Sequence, residues 1–337
     1  MSKISTYLAR VKTMSFKRMS MYADRSRQES GRLKAVILAD MIICSFKYGV
    51  GYQDYYLFGF ANYRKPEQRR SFMTMNDNIQ LVRRFNDPKD KMIFEDKPSF
   101  DETFSDMLGR DFVNIGKASE DEIKEFVGKN RVFFAKTADG YGGFGVKRYE
   151  GLEPEKALEV IKENHFNLLE QPIVQHEKMS ELNGTSVNSL RIVTLLGDEG
   201  DVNIMYALVR VGRSGSDVDN VSSGGMYAPI GKNGEITAKA FCDKTGEYYE
   251  KHPDTGVVFK GFAIPMYERC IELVTEAAKR VPTVRYVGWD VGVTENGPVL
   301  IEGNTFPGYD MCQNHGHISE GLGILPAFEN ILGEKLR

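Results

Sequence analysis

Residues 285–304 read RYVGWDVGVTENGPVLIEGN. The Asn-Gly pair lies between two mainly apolar runs, which predicts a β-hairpin. Glu302 and Asn304 are two residues apart in the second strand, so their side chains leave the same face of the sheet. With a three-residue turn at 295–297, Asp290 would face Glu302 across the hairpin. The stretch therefore predicts three oxygen-bearing side chains on one face, a set suited to Mg²⁺ and nucleotide phosphates.

The alternative for this hairpin is a solvated sheet face that carries two acids. The acids, however, lie within apolar runs, where an unpaired buried carboxylate is costly. We therefore favour a metal site made by Asp290, Glu302 and Asn304.

A second signal is the glycine-rich run DGYGGFG at 139–145. RVFFAK at 131–136 and VKRY at 146–149 read as strands on either side of it, so the run is the turn of a hairpin. A dinucleotide-binding fingerprint needs a helix after the glycines, and a Walker A loop needs Lys and then Ser or Thr; neither follows here. The H-R-D and D-F-G motifs of protein kinases are also missing downstream. A glycine hairpin that covers phosphates remains, beside an ordinary flexible hairpin, with Lys136 placed to neutralise phosphate charge.

Composition limits the classes of function. The chain has 337 residues, of which 41% are hydrophobic, enough for two or three domains or lobes. A net charge of −3 gives no reason to expect nucleic-acid binding. Four widely separated cysteines favour neither a disulfide framework nor a zinc site. Since we recognise neither a signal peptide nor a membrane-spanning run, a cytoplasmic protein is expected.

The order of elements predicts an α+β protein. Residues 1–95 read mainly as helices, after which short strands and helices alternate. Strand-like runs lie at 168–174, 186–196 and 203–211, and regular helices at 154–164 and 268–280. The hairpin signals predict that antiparallel sheets dominate.

Residues 1–34 are locally basic, with nine Lys or Arg against Asp24 and Glu29, interleaved with apolar side chains. A basic amphipathic helix would fit a membrane surface. A helix packed on the next part of the protein is the favoured interpretation.

Four segments, taken in order after the glycine run, resemble the sugar-transfer-associated ATP-grasp family. They are LEQPIVQH at 169–176, LNGTSVNSLRIVT at 182–194, GWDVG at 288–292 and PVLIEGN at 298–304. The resemblance covers about residues 91–314 and implies an ATP-grasp fold, in which two α+β lobes grip ATP between antiparallel sheets. It implies a small lobe at 96–167 and a large lobe at 168–337, after a mainly helical region at 1–95.

The resemblance also implies roles for individual residues. ATP would be bound by two lysines, Lys97 and Lys136, by the glycine hairpin at Gly140, Gly142, Gly143 and Gly145, and by a hinge at Glu170, Gln171 and Ile173. Either His176 or Glu177 would reach the ribose. Mg²⁺ would be bound by Asp290, Glu302 and Asn304. Arg191 and Arg210, with Lys136, would stabilise the transferring phosphoryl group. NVSSGG at 220–225 resembles the family's substrate loop, with contacts from Ser222, Ser223, Gly224 and Gly225, beside the alternative of a surface turn.

The implied activity is an ATP-dependent joining of a carboxylate to an amine. The carboxylate would attack the γ-phosphate of ATP to give an acyl phosphate, and the amine would then displace phosphate. By analogy with the family, an amino acid or amine would be joined to a sugar acid or a peptide-like precursor, in surface-polysaccharide or secondary metabolism. The alternatives are a small-molecule kinase on the same scaffold and a non-catalytic nucleotide-binding module. The sequence identifies neither substrate and leaves the oligomeric state open.

Overall fold

The computed structural model describes residues 15–138, 145–213 and 224–337. It divides into two compact units. One contains the residues up to Ile79 together with Gly308–Arg337, and the other contains Gln80–Pro307. The predicted boundaries after residues 95 and 167 stay predictions, and we call the two observed parts the helical unit and the sheet unit.

The elements alternate much as the sequence predicts. The helices of the described residues are α1 Phe16–Ser30, α2 Lys34–Tyr48, α3 Tyr52–Leu57, α4 Pro66–Arg70, α5 Met75–Phe85, α6 Met92–Glu95, α7 Lys97–Thr103, α8 Glu120–Lys129, α9 Pro154–Asn164, α10 Glu177–Ser180, α11 Tyr267–Arg280 and α12 Leu325–Leu332. The strands are β1 Phe112–Asn114, β2 Val132–Lys136, β3 Val146–Glu150, β4 Leu168–Glu170, β5 Leu190–Leu196, β6 Val202–Val211, β7 Met226–Pro229, β8 Ala240–Cys242, β9 Glu247–Tyr249, β10 Tyr286–Thr294 and β11 Gly297–Asn304.

In the helical unit, local signals set the ends of the first two helices. The Ser15 hydroxyl accepts a hydrogen bond from the Arg18 N–H and so caps α1. Gly31 ends α1 and Gly49 ends α2, each in the left-handed conformation that glycine adopts without steric cost, at φ +69° and +74°. Phe58, Phe60 and Phe72 pack together in the core of this unit.

The sheet unit contains two antiparallel sheets, which confirms the predicted α+β class. The smaller has the order β1-β4-β2-β3, and α8 and α9 share a hydrophobic core with it. The larger has the order β11-β10-β5-β6-β7-β8-β9. Strands β5 and β10 are buried along nearly their whole length, which explains their continuous apolar runs. The core of the larger sheet includes Trp289, Phe94 and Phe104.

The hairpin of β10 and β11 differs in detail from the sequence prediction. Thr294 pairs with Gly297, so the turn has two residues rather than three. Asp290 nevertheless pairs with Glu302, because Val291 pairs with Leu300 and a bulge at Ile301 supplies the extra residue. The pairing is as predicted, but the predicted cause is wrong.

Two further strand predictions are longer than the observed strands. The run 168–174 forms β4 only as far as Glu170, since Pro172 has no N–H to give to a sheet. The run 186–196 becomes a strand at Leu190, while the Asn188 side chain donates hydrogen bonds to the Met179 and Asn183 carbonyls.

Across the described ranges, none of the helices combines the length and apolar character that crossing a membrane requires.

Candidate functional site

A cavity of about 200 Å³ opens in the sheet unit beside the end of β11. Its wall contains the predicted phosphate lysines Lys97 and Lys136 and two of the predicted metal ligands, Glu302 and Asn304. The remaining lining residues are Phe94, Glu95, Phe100, Asp101, Glu170, Ile301, Gly303, Thr305 and Phe306. Residues 39 or more positions apart in the sequence, such as Lys97, Lys136 and Glu302, therefore meet at one place.

Of the three metal-ligand candidates, Glu302 and Asn304 line the cavity and Asp290 does not. Glu302 is exposed in the cavity, and Asn304 is on the same wall, where its side-chain oxygen accepts a hydrogen bond from the Phe306 N–H at 2.9 Å. Asp290 lies behind them on β10 and is 1% exposed. Partial enclosure and, to a smaller extent, the negative charge of Asp290 raise the pKa of Glu302 to about 6. The negative charge of Asp290 thus makes ionisation of Glu302 less favourable.

Two arginines, the buried Arg191 and the partly buried Arg210, hold Asp290. The Arg191 Nε donates to Asp290 Oδ1 at 2.5 Å and its terminal nitrogen donates to Oδ2 at 3.0 Å. A terminal nitrogen of Arg210 donates to the same Oδ2 at 2.5 Å, and Arg210 also contacts the Ser189 hydroxyl at 2.9 Å. Burial alone would raise the pKa of Asp290, but the two guanidinium groups outweigh burial and hold it well below its usual range.

The donor set fits Mg²⁺. Carboxylate and amide oxygens are the ligands that this hard cation prefers, and Glu302, Asn304 and Asp290 supply them from adjacent strands. A cation between Asp290 and Glu302 would also relieve the repulsion that raises the Glu302 pKa. Glu302 and Asn304 are the more available ligands, because at least three hydrogen bonds from the arginines already use the Asp290 oxygens.

A second cluster of charges adjoins the cavity, and we call it the Glu170 cluster: Asp101, Arg110, Lys136 and Glu170, of which Asp101, Lys136 and Glu170 line the cavity. The Arg110 guanidinium donates to Glu170 Oε1 at 2.6 Å and comes within 3.8 Å of Asp101, and Lys136 forms an ion pair with Glu170. Although burial opposes ionisation, the charges of Arg110 and Lys136 hold the pKa of Glu170 below its usual range. Lys136 remains 15% exposed, so its ammonium group can be reached from the cavity.

Arg110 also connects this cluster to β11. It donates to the Leu300 carbonyl at 2.7 Å, next to the bulge at Ile301. Glu170 belongs to the four-stranded sheet and Leu300 to the seven-stranded one. One buried side chain therefore ties the strand that carries Glu302 to the strand that carries Glu170.

Asp101 is the unexpected member of the cluster. It lies on α7 one turn after Lys97, so both side chains leave the same face of the helix, and both line the cavity. Asp101 is 2% exposed, and its Oδ2 atom has no hydrogen-bond partner within the described ranges. Burial and the negative charge of Glu170 raise the pKa of Asp101 to about 8.

We expect Asp101→Asn to change how stability depends on pH. A carboxyl group whose pKa is raised by folding stabilises the protein below its unfolded pKa of about 4, and this contribution is lost as the pH rises through about 8. Asn does not titrate, so the variant should lose less unfolding free energy than the wild type between about pH 5 and 8.5. Urea unfolding at both pH values measures this, and an equal loss in the two proteins would contradict the assignment.

The predicted hinge residues lie outside the cavity wall, except Glu170. Gln171 donates from its side chain to Asn130 at 2.8 Å and accepts from the Asp111 N–H at 3.0 Å, so it fixes the end of β4. Ile173 packs near Gly292 of β10, since a Cβ atom added to Gly292 would be 3.5 Å from the Ile173 side chain. The adenine role of this segment stays a prediction.

His176 and Glu177, the two alternative candidates for the ribose contact, lie at the turn of the β10–β11 hairpin. The backbone N–H groups of His176 and Glu177 donate to Val293 O and Glu295 Oε1, each at 2.7 Å, and the His176 ring approaches Glu295 at 3.4 Å. These contacts anchor the segment to the hairpin, and neither residue lines the cavity. A ribose role for either residue stays a prediction.

Both predicted glycine loops are described only in part. Gly140, Gly142, Gly143, Ser222 and Ser223 lie outside the described residues. Gly145 closes the glycine hairpin, since its carbonyl accepts from the Thr137 N–H at 2.9 Å and its φ is +76°. Gly224 has a φ of +104° and precedes Gly225 and β7.

Sequence reasoning missed Asp101 and Arg110. Each is a single charged residue near the end of a short helix or loop, and the only signal was the polar pair Arg110-Asp111 before a strand. Among the described residues there is no cluster of three or more His, Cys, Asp or Glu that could hold a metal ion.

A family model described as sugar-transfer associated ATP-grasp matches residues 157–331, just over half of the chain. Three solved structures are similar to the chain. The first is the ATP-grasp ligase PsnB complexed with a phosphomimetic variant of minimal precursor, Mg and ADP, with 13% identity and a TM-score of 0.43, covering 74% of this chain and 61% of that one. The second is D-alanyl-alanine synthetase A from Vibrio cholerae O1 biovar eltor str. N16961, with 17% identity and a TM-score of 0.38, covering 72% of this chain and 65% of that one. The third is N5-carboxyaminoimidazole ribonucleotide synthetase from Thermotoga maritima, with 13% identity and a TM-score of 0.37, covering 65% of this chain and 43% of that one. The chain therefore spans less than two thirds of the length of each. No curated protein matches it.

Proposed function

Because this chain belongs to the sugar-transfer-associated ATP-grasp family, we propose that it is an ATP-dependent carboxylate-amine ligase that works through an acyl phosphate. The observation that carries the proposal is the cavity whose wall brings Lys97 and Lys136 together with Glu302 and Asn304 at the end of β11. Cationic side chains close to metal-binding oxygens are what a bound triphosphate requires.

Lys136 and Lys97 would bind the phosphates of ATP. Lys136 is held in place by Glu170, so its charge is oriented before the nucleotide arrives. Lys97 donates to the Ala138 carbonyl at 3.4 Å, which places it beside the start of the glycine hairpin. A hairpin that closes over the phosphates would exclude water and protect an acyl phosphate from hydrolysis.

Glu302 and Asn304, backed by Asp290, would hold Mg²⁺. The metal would neutralise the charge that develops on the transferring phosphoryl group. Arg210 is 15% exposed and Arg191 is 6% exposed, so Arg210 is the better candidate for contact with the reacting phosphate. Arg191 would then act mainly by holding Asp290.

The chemistry proceeds in two displacements. A carboxylate oxygen attacks the γ-phosphorus of ATP, the bond to the β-phosphate oxygen breaks, and ADP leaves. An amine nitrogen then attacks the acyl carbon, phosphate leaves, and the nitrogen gives up a proton. We propose a small-molecule carboxylate, such as a sugar acid or a peptide-like precursor, and an amino acid or amine as substrates, in the cytoplasm and in surface-polysaccharide or secondary metabolism.

Hydroxylamine tests this proposal because it intercepts an acyl phosphate as a hydroxamate. The protein, ATP and Mg²⁺ would be incubated with a panel of uronic acids and amino acids, and ADP and hydroxamate would be measured together. We expect both products in equal amounts with one carboxylate of the panel. A phosphorylated alcohol that needs no amine would identify a kinase instead, and ATP binding without turnover across the panel would identify a nucleotide-binding module.

A further inference from the structure

Helix α2 has an apolar surface on both of its sides. Its inner side packs into the core of the helical unit through four buried residues, Ile37, Met41, Cys44 and Tyr48. Its outer side carries Val36, Ile42, Ile43 and Phe46, which are 46%, 46%, 55% and 65% exposed. A helix that is apolar all round is normally covered all round. Among the residues that the structure describes, the outer side of α2 therefore lacks the cover that its composition predicts.

The outer residues form one continuous stripe. Ala35, Val36, Ala39, Ile42, Ile43 and Phe46 recur at the three- and four-residue spacing of a single helical face, and all are exposed. Leu33, just before the helix, is 73% exposed, and Phe16 at the start of α1 is 72% exposed. Scattered exposed apolar residues are ordinary, but a stripe along about three turns marks a binding surface.

The charged residues of the two helices beside this stripe are mainly basic. The segment 16–48 contains seven Lys or Arg and three acids. All three acids have a side-chain partner within the helical unit: Asp24 pairs with Lys34, Asp40 pairs with Arg32 and Arg69, and Glu29 contacts the His315 ring. Lys17, Arg18, Arg27 and Lys47 are exposed, as is Glu29. The partner of this surface should therefore be apolar and negatively charged.

We propose that the outer side of α2, with the basic residues around it, docks on an anionic lipid surface. A lipid bilayer offers an apolar interior for Ile43 and Phe46 and anionic headgroups for Lys17 and Lys47. A second copy of the chain is a poorer occupant, because a two-fold contact would set the same basic residues against each other. This docking is independent of the proposed catalytic activity.

The dimensions of α2 agree with surface docking. Fifteen residues of α-helix are about 22 Å long, which is too short to cross the hydrocarbon core of about 30 Å. One side of α2 is also occupied by the helical unit. The helix would lie parallel to the membrane plane, with only its outer residues among the lipids.

Co-sedimentation with vesicles tests the docking. The full chain should bind vesicles of phosphatidylcholine with about 30% phosphatidylglycerol, and bind pure phosphatidylcholine vesicles at least about tenfold more weakly. Ile43→Asp with Phe46→Asp should reduce binding at least about tenfold, because two charges would enter the interface. Val258→Asp, at a 48% exposed position in the sheet unit, is the matched control and should bind like the wild type.

Fluorescence locates the contact. Trp289 is fully buried and is the chain's single Trp, so a Phe46→Trp variant adds one reporter on the stripe and keeps its apolar character. Anionic vesicles should shift its emission to shorter wavelength and leave a Val258→Trp variant unchanged. The proposal is overturned if the wild type does not bind, if neutral and anionic vesicles bind equally, or if light scattering shows a dimer that Phe46→Asp dissociates.

Discussion

Glu302→Gln is expected to abolish ADP formation while leaving the protein folded. Turnover should fall by at least about 100-fold, the loss typical of removing one group that stabilises charge in a transition state. Gln keeps the shape of the side chain but lacks the charge that would hold Mg²⁺ at the cavity wall. A coupled ADP assay with ATP, Mg²⁺ and an accepted carboxylate measures the effect.

Unlike its turnover, the stability of the metal-free Glu302→Gln variant should not fall. Because folding raises the pKa of Glu302 to about 6, its ionised form opposes folding above that pH in the metal-free protein. Glu302→Gln removes this repulsion from Asp290, so the metal-free variant should unfold at the same temperature as the wild type or slightly higher at pH 8. Glu268→Gln changes an exposed glutamate on α11 in the same way and should alter neither property. Wild-type turnover in the Glu302→Gln variant would remove the metal assignment.

Arg110→Met is expected to destabilise the protein more than Asp101→Asn or Glu302→Gln. Arg110 and Glu170 are 3% and 4% exposed, and without the guanidinium Glu170 would keep only Lys136 as a cationic partner, while Asp101 would lose its nearest cation. Breaking a buried ion pair by removing one member costs about 3 to 5 kcal/mol. The hydrogen bond to the Leu300 carbonyl beside the bulge would be lost as well. Urea or thermal unfolding measures the change.

The matched control is Arg148→Met on β3. Arg148 pairs with Glu150 at 3.0 Å, but the two side chains are 41% and 49% exposed. Solvent screens such a pair, so its loss should cost about 0 to 1 kcal/mol. If the two variants were equally stable, Arg110 would not have the tying role that we assign to it.

Local sequence determined most of the elements. Pro154 at the first turn and the apolar spacing of Ala157, Leu158 and Ile161 predict a helix at 154–164, and the structure has α9 at these residues. The Asn-Gly pair predicts the β10–β11 hairpin. Such signals act between residues that are a few positions apart, so they are present in the chain before it folds.

The sequence also placed Glu302 and Asn304 on one strand face, since that follows from the two-residue period of a strand. Its position at the strand end before the glycine run made Lys136 a phosphate candidate, whereas Lys97 was placed in the site only through the family resemblance. Both lysines line the same cavity as Glu302 and Asn304, although their individual roles remain proposals.

Tertiary structure alone decided how the charges are paired. Arg191 and Arg210 are 99 and 80 positions from Asp290, and both are bound to it because β5 lies between β6 and β10. The Glu170 cluster depends in the same way on α7, β2 and β4 meeting Arg110. A charged residue carries no local mark of its future partner. Its pKa and its freedom to meet a ligand follow from which distant strands bury it, and only the folded chain sets that.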